Sequence, residues 1–324
     1  MAKESKKEGG GIGELLAYAG DRKFLTYLGM ALSAFSQLLS FGPYVCIWFV
    51  ARDLIAVAPN WSEATDIAMY GWWAVGFALA SIVVYFVGLM CTHLSAFRCA
   101  SNIRKTTSEH LLKLPLGYFD THATGELRRI VDGCAASTET LLAHMLPDIA
   151  GAAAMVVGLL VLLFALDWRL GAACLISVVV SFGAMATMMS GKGAEFMKAY
   201  MGALVKMNKT GTEYVRGIPV VKVFQQTVYS FKAFHDAIAE YADMAQTYAG
   251  TFCRGPQVLN LTALNGLVAF LLPVALLLAP GETDFAHFMA NFTFYAIFSA
   301  VVPTAMTKLM FVGEASQMSA DSLA

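Results

Sequence analysis

The sequence predicts an all-α membrane protein with six transmembrane helices, and two observations carry that prediction. The chain is 58% hydrophobic and only 14% charged, whereas soluble domains average about a quarter charged residues. Its apolar residues also form uncharged runs that are too long for a soluble core, since a helix needs about 20 such residues to cross the hydrocarbon of a bilayer. An ordinary soluble domain is therefore excluded.

The uncharged runs mark the predicted spans in order. They are Phe24–Ala51, Ile67–Phe97, Ile149–Leu166, Leu170–Gly191, Gly255–Ala279 and Phe285–Thr307. Residues 1–23 precede them as a cytoplasmic segment, in which Glu14–Phe24 is expected to form a short amphipathic elbow helix on the inner surface. We expect Pro43, Pro273 and Pro303 to kink spans one, five and six.

The distribution of Lys and Arg predicts the orientation in the bilayer. When both termini are placed in the cytoplasm, only Arg52 and Arg169 of the 22 Lys and Arg residues fall outside. Cytoplasmic loops collect Lys and Arg. We therefore expect a multi-pass protein of the plasma (inner) membrane with both ends cytoplasmic, whose surroundings are lipid and which has no nucleic-acid partner.

The connections between spans are short outside and long inside. The external turns are "DWRL" (Asp167–Leu170) and "PGETD" (280–284), whereas Arg98–Leu142 and Lys192–Arg254 are long and rich in helix-forming residues. A helix rises 1.5 Å per residue, so these segments would extend about 25–30 Å beyond the inner surface. The sequence thus predicts two long helical hairpins in the cytoplasm.

Each hairpin is expected to end in a short irregular tip. The first tip lies in "KLPLGYFDTHATGEL" (Lys113–Leu127), where proline, glycine and aromatic residues interrupt the helical pattern. At the second tip, Gly217 and Pro219 are expected to end the helix.

These tips carry a resemblance to a known family. The segment "YFDTHATGELRRIVD" (Tyr118–Asp132) resembles the first coupling-helix region of exporter-type (type IV) ABC transporters, and "EYVRGIPVVKVFQQ" (Glu213–Gln226) is similar to the second. The turn "DWRL" resembles the short outer turn between the third and fourth helices of that family. The resemblance covers essentially the whole chain and makes residues 24–312 a six-helix transmembrane domain, half of a transporter.

The resemblance implies partners and a mechanism. Two transmembrane halves, identical or different, would enclose one path for a small-molecule substrate. Their coupling helices would fit grooves on nucleotide-binding domains, and helices four and five would cross to the other half. The coupling residues carried over are, at the first tip, Leu116, Gly117, Phe119, Asp120 and Thr121, and at the second, Tyr214, Val215, Arg216 and Gly217.

The same resemblance implies ATP-driven transport, most typically export of a hydrophobic or amphipathic compound. Import of a siderophore or metal chelate is the alternative, because some uptake systems share this fold, and a membrane-embedded enzyme is a remote third. No Walker A motif is found: "SGKGA" (Ser190–Ala194) lacks the upstream glycine and the Ser or Thr that would hold magnesium.

We therefore expect no catalytic residue and no cofactor in this chain, with ATP and Mg²⁺ bound by a nucleotide-binding domain outside it. The polar residues 313–324 are expected to begin a linker to such a domain, whether it was truncated from this chain or is a separate one. Nor do we expect a metal site, since the six cysteines lack C-x-x-C spacing and the methionines are spaced as core residues.

Polar groups within spans are costly and usually face a cavity or a partner. On that basis, with aromatic residues added, the candidate substrate path consists of Gln37, Phe41, His93, His144, Asn260, Asn265, Phe298, Thr304 and Lys308. Each of these side chains could instead serve in interhelical hydrogen bonding or packing.

Overall fold

A computed structural model describes residues 12–122, 124–223 and 232–305, which form helices and turns without a β-strand among them. The helices are α1 (Ile12–Ala19), α2 (Lys23–Leu39), α3 (Gly42–Val57), α4 (Ile67–Leu111), α5 (Leu116–Thr121), α6 (Thr124–Arg128), α7 (Cys134–Thr140), α8 (Leu146–Ala165), α9 (Trp168–Met189), α10 (Lys192–Val223), α11 (Lys232–Thr247), α12 (Arg254–Asn265), α13 (Leu267–Leu278) and α14 (Phe285–Phe298). Three π-helical turns lie between them: π1 (Arg129–Gly133), π2 (Leu141–Met145) and π3 (Tyr248–Cys253).

The predicted number of spans agrees with the helices when one bent pair is counted as a single span. Among the described residues, five helices are long and apolar enough to cross a membrane, and the pair Lys232–Asn265 and Leu267–Gly281, bent by 53°, would be the sixth. The bend in span five lies at Gly266 and not at Pro273, which remains inside α13. A proline removes one backbone hydrogen bond, and here α13 persists without it.

In the first span, by contrast, the break falls where the proline predicts it. The turn at Ser40–Phe41 separates α2 from α3, and Pro43 lies in the first turn of α3. Its missing N–H costs nothing there, because the first N–H groups of a helix have no intrahelical acceptor.

The chain divides into two compact units, Met1–Gly171 with Ala275–Ala324, and Ala172–Val274. The first unit is built around a seam of small residues between α2 and α4. The seam is formed by Thr26, Gly29, Ser33 and Ser36 of α2 and by Ser81, Gly88, Thr92 and Ser95 of α4. The side chains of Thr26 and Ser95 are fully buried and hydrogen-bond each other at 2.8 Å.

Glycine is what allows α2 and α4 to approach so closely. A Cβ atom on Gly29 would lie 2.6 Å from the carbonyl oxygen of Gly88 and would also clash with the methyl group of Thr92. Helices in lipid gain little from hydrophobic burial against each other, so close backbone packing and interhelical hydrogen bonds hold them together.

The small-residue seam also binds the segment formed by π2 and α8. The Ser33 hydroxyl donates to the carbonyl of Pro147 at 2.7 Å, and the Thr92 hydroxyl donates to that of Ala143 at 2.9 Å. Gly151 of α8 faces Ser33, where a Cβ atom would lie 3.0 Å from the hydroxyl oxygen. Thus α2, α4 and the π2–α8 segment share one core.

A short helix, α1, overlaps the predicted elbow segment Glu14–Phe24 and packs on this core. Leu16 and Ala19 are buried in one cluster with Ala96, Cys99, Leu142, Ala143 and Leu146. The side-chain amide of Asn102 donates to the Tyr18 carbonyl at 2.7 Å. Gly20 then begins the short 3-10 turn Gly20–Arg22 that leads into α2, with φ +58°, a left-handed conformation that side chains rarely adopt.

At the other end of the first unit, the Tyr295 hydroxyl bridges the last turn of α8. It donates to the Leu163 carbonyl at 2.7 Å, lies 2.8 Å from the Asp167 carbonyl oxygen, and accepts from the Asp167 N–H at 3.1 Å. Leu163 and Asp167 are the pair that would bond directly if α8 continued. The hydroxyl thus ends α8 and ties it to α14.

Charges complete this contact, which we call the outer clasp. The Asp167 carboxylate accepts from the Arg169 N–H and guanidinium, and Arg169 reaches Glu282 at 2.6 Å. Burial acts to raise the pKa of Asp167, but the hydrogen bonds and charge of Arg169 outweigh it and hold that pKa below its usual value. The two short turns, 167–170 and 280–284, therefore meet in one ionic contact.

In the second unit, α10 and α11 form a hairpin with aromatic residues between them. The rings of Tyr200 and Tyr241 stack at 5.3 Å and their hydroxyls hydrogen-bond at 2.8 Å. The rings of Phe196 and Phe252 stack at 5.0 Å, and Lys206 pairs with Glu240. The predicted second helical hairpin is present.

The prediction that Gly217 and Pro219 end the outgoing helix is wrong. α10 runs for 32 residues, through both positions, to Val223. A single missing N–H does not end a helix that the hydrogen bonds of the neighbouring turns continue to hold. The break lies instead between α9 and α10, at Gly191, whose φ of +56° requires glycine.

The small-residue seam predicts a selective effect of a single methyl group. We expect Gly29→Ala to separate α2 from α4 and to destabilise the protein by about 1–3 kcal/mol, because an overpacked core must shift. Gly76→Ala in α4 is the control, since nothing lies within 4 Å of its Cβ position. Thermal unfolding in detergent should show a lower melting temperature for the first variant only; equal melting temperatures would contradict the seam.

The outer clasp predicts that one hydroxyl stabilises the first unit. Tyr295→Phe leaves the buried Asp167 N–H without an acceptor, which costs about 1–3 kcal/mol. The matched variant is Tyr44→Phe, whose hydroxyl bonds to no described residue although its ring contacts Phe298 at 5.7 Å. We expect only the first to unfold at lower temperature, and an unchanged melting temperature for Tyr295→Phe would refute the role of the clasp.

Candidate functional site

The first tip is a short helix set between two extended residues. After α4 ends, Pro115 adopts φ −65° and ψ 149°, which directs the chain into α5, and His122 is extended again after it. The imidazole of His122 stacks on Tyr118 with ring centroids 4.0 Å apart, and its Nδ1 lies 2.9 Å from the Tyr118 carbonyl oxygen. This stack fixes the C-terminal end of α5.

The surface of the first tip is apolar and exposed. Leu116 is 85% exposed and Phe119 41% exposed, and Gly117 and Asp120 are exposed as well. Four of the five predicted coupling residues therefore lie on the surface of α5; Thr121 belongs to α5, but its side chain is not described. Leu112, which was not among the predicted coupling residues, is 86% exposed just after α4.

At the second tip, the predicted residues lie in the last turns of α10. Val215 is 63% exposed and Arg216 is exposed, whereas Tyr214 is half-buried and stacks on Phe234 of α11 at 5.6 Å. Gly211 allows this approach, since a Cβ atom there would lie 3.1 Å from the Phe234 ring. Tyr214 thus braces the tip, while Val215 and Arg216 face outward.

An apolar cavity of about 620 Å³ lies in the membrane part of the first unit. It is lined by Leu38, Phe41, Gly42, Val45, Cys46, Phe49, Tyr70, Trp73, Phe77, Gly158, Val161 and Leu162. Phe41 is one of the predicted path residues. Because the lining offers mostly hydrocarbon and aromatic rings, this cavity suits an apolar group.

The other described path residues of the first unit do not line this cavity. Phe298 is fully buried and packs on Phe41 with ring centroids 5.7 Å apart, so it supports the cavity from behind. His93 and His144 meet edge to face at 4.7 Å, half-buried and exposed respectively. Gln37 packs beside α8, where its Cγ lies 3.2 Å from the Cβ position of Gly151.

In the second unit, Asn260 is buried and its side-chain amide donates to the Ser181 hydroxyl at 2.8 Å. This is the interhelical hydrogen bonding that the sequence left open as the alternative to a place in the substrate path. Asn265 is exposed and donates to the Leu261 carbonyl of its own helix. At the end of the first unit, Thr304 is exposed, and Lys308 lies outside the described residues.

The chain matches the model of the ABC transporter transmembrane region over residues 27–302. This chain belongs to that family. The match includes both helical hairpins, both predicted tips and the apolar cavity, so the fold that the tip motifs predict is confirmed. The chain is thus the transmembrane region of an ABC transporter, a multi-pass membrane protein.

Two kinds of curated relative are similar to this ABC transmembrane region. The mycobactin import ATP-binding/permease protein IrtA of Mycolicibacterium smegmatis is 26% identical over 74% of this chain and 27% of its own length, and that of Mycobacterium tuberculosis is 27% identical over 63% and 23%. The ATP-dependent lipid A-core flippase of Francisella tularensis is 23% identical over 67% of this chain and 34% of its own length. The chain thus spans about a quarter to a third of these relatives.

One polar contact of the ABC transmembrane region was missed from the sequence. The Tyr85 hydroxyl donates to the exposed carboxylate of Asp148 at 3.2 Å. Asp148 lies one helical turn beyond His144, so the Tyr85–Asp148 and His93–His144 contacts lie on one face of the π2–α8 segment. The signal was the carboxylate one residue before the predicted third span, which sequence reasoning left unassigned.

Proposed function

We propose that this chain is the membrane-spanning half of an ATP-driven transporter, and that its cytoplasmic tips receive the movement of nucleotide-binding domains. The observation that carries the proposal is the exposed apolar surface of α5 at the end of a 45-residue helix that begins in the membrane. Exposed anchors of this kind commonly form the energetic centre of an interface. The ATP-binding function named in the relatives supports the same partner.

Under this proposal the chain has no ATPase activity by itself. ATP and Mg²⁺ bind to the nucleotide-binding domains, and a second transmembrane half, identical or different, completes the substrate path. Six spans supply half of such a path, which is the family arrangement.

The proposed orientation places both ends and both tips in the cytoplasm. The Lys and Arg count supports this orientation. The two arginines assigned to the outside support it too, because each is paired with an acidic residue. Arg52 contacts Asp53 at 2.9 Å and lies over the Phe49 ring at 5.0 Å, and Arg169 belongs to the outer clasp.

Export of a hydrophobic or amphipathic compound is the transport that the cavity supports best. Its aromatic lining, which includes Phe41 and Trp73, would receive an apolar group, and few polar atoms are present to select a particular compound. Import of a siderophore or metal chelate is the second candidate, because three relatives are named for mycobactin import. Transport in vesicles of known orientation separates the two.

Orientation predicts the labelling of single cysteines. A cysteine at Arg216 should react with an impermeant thiol reagent only after cells are opened, whereas one at Trp168, which is 68% exposed in an external turn, should react in intact cells. The unmodified chain is the control, because Cys134 is itself exposed. Labelling at position 216 from outside would reverse the topology.

Coupling through the first tip predicts the behaviour of Phe119→Ala. In the transporter assembled with its nucleotide-binding domains, the variant should fold and bind substrate normally. Substrate-stimulated ATP hydrolysis and transport should both fall, since truncating an interface anchor costs about 2 kcal/mol or more. Asp120→Asn should have a smaller effect, because a solvated rim charge contributes little.

Phe24→Ala is the matched control, since Phe24 is 65% exposed but lies at the start of α2, away from the tip. It should keep both activities. Normal transport by Phe119→Ala would mean that α5 is an ordinary turn between two helices.

A further inference from the structure

The two cytoplasmic hairpins share a feature in the helix that returns from the tip to the membrane. In the first unit the return helix starts with α6 and contains π2 before α8, and in the second it starts with α11 and contains π3 before α12. The outgoing helices α4 and α10 are regular α-helices of 45 and 32 residues. π1 lies nearer the first tip and has no counterpart in α11.

The two π turns occupy equivalent positions. Each π turn ends within about one helical turn of the start of a predicted membrane span: Met145 precedes Ile149, and Cys253 precedes Gly255. Both therefore lie where the return helix enters the bilayer.

A π turn is the weak point of a helix. It accommodates one residue more than an α-helical turn because its hydrogen bonds run from i to i+5, so its geometry is poorer and sharp bends concentrate there. A force applied at a tip would bend the return helix at this turn before it bends the regular helix on either side.

Each π turn is also held against its outgoing helix. At π2, the Ala143 carbonyl accepts from Thr92 of α4, and His144 contacts His93. At π3, Phe252 stacks on Phe196 of α10, and further ring contacts join Tyr248 to Tyr200 at 5.9 Å. Each π turn is thus packed against a continuous α-helix, and these contacts limit its movement away from that helix.

We infer that π2 and π3 are the joints at which the two return helices bend when the tips are displaced, so that tip movement changes the angle of spans three and five. This inference rests on the proposed transport function. It assigns positioning roles to Tyr248, Phe252 and the π2 residue His144, none of which contacts a tip.

The test is to remove the additional residue of π3. Deleting Ala249, an exposed alanine within π3, allows that turn to close as a regular α-helix while the faces of α11 and α12 stay in register. Deleting Ala242, an exposed alanine of α11, is the matched control, because it rotates the segment between it and π3, residues 243–247, by about 100° around the helix axis. We expect the Ala249 deletion to keep the wild-type melting temperature and the Ala242 deletion to lose it.

In the assembled transporter, the Ala249 deletion should keep basal ATP hydrolysis and lose substrate stimulation and transport. Transport at the wild-type rate would overturn the joint. Loss of folding in both deletions would overturn it too, because π3 would then hold no spare residue.

A second measurement separates this inference from the proposed function. Hydrogen exchange on the chain in lipid nanodiscs should be faster at Leu141–Met145 and Tyr248–Cys253 than in Lys232–Thr247, and the Ala249 deletion should slow it in π3 alone. Slow exchange at both turns in the wild type would refute the joints even if transport is confirmed. Fast exchange with no transport by the wild type would instead refute the proposed function.

Discussion

The close approach of α2 and α4 at Gly29 and Gly88 is the contact on which the rest of the first unit depends. Lipid gives these helices little reason to associate, so backbone proximity and hydroxyl hydrogen bonds must supply the attraction. Thr92 belongs to this contact and also holds the Ala143 carbonyl of the return helix. The same seam therefore positions α1, π2 and α8, and through them the helix that carries the first tip.

This arrangement separates rigid parts from compliant ones. Regular α-helix connects the membrane with each tip along α4 and α10, and a π turn interrupts each returning helix. At the far side of the first unit, Tyr295 and Arg169 join the two short turns through hydrogen bonds and ion pairs. Movement received at a tip would thus bend the return helices at π2 and π3, while the outer clasp holds the ends of α8 and α14.

The spans and the first tip could be predicted from the sequence, because each depends on residues that are neighbours in the chain. Uncharged runs predicted the spans, and the proline, glycine and aromatic residues within Lys113–Leu127 predicted the first tip. The end of the outgoing helix and the bend of span five were misplaced, since whether Pro219 or Pro273 breaks a helix depends on the turns around it. The Tyr295–Leu163 and Tyr85–Asp148 contacts join residues distant in sequence, and no pattern in one chain identifies such pairs.

The central claim is that α5 docks an ATP-binding partner, and site-specific photocrosslinking in the native membrane tests it most directly. A photoreactive amino acid at Leu116, which is 85% exposed, should capture a protein or domain that carries a Walker A motif, identified by mass spectrometry. The same group at Val161, which is 62% exposed within α8, should capture only lipid or another transmembrane segment. Capture of lipid alone at Leu116, with no ATP-binding partner, would contradict the account.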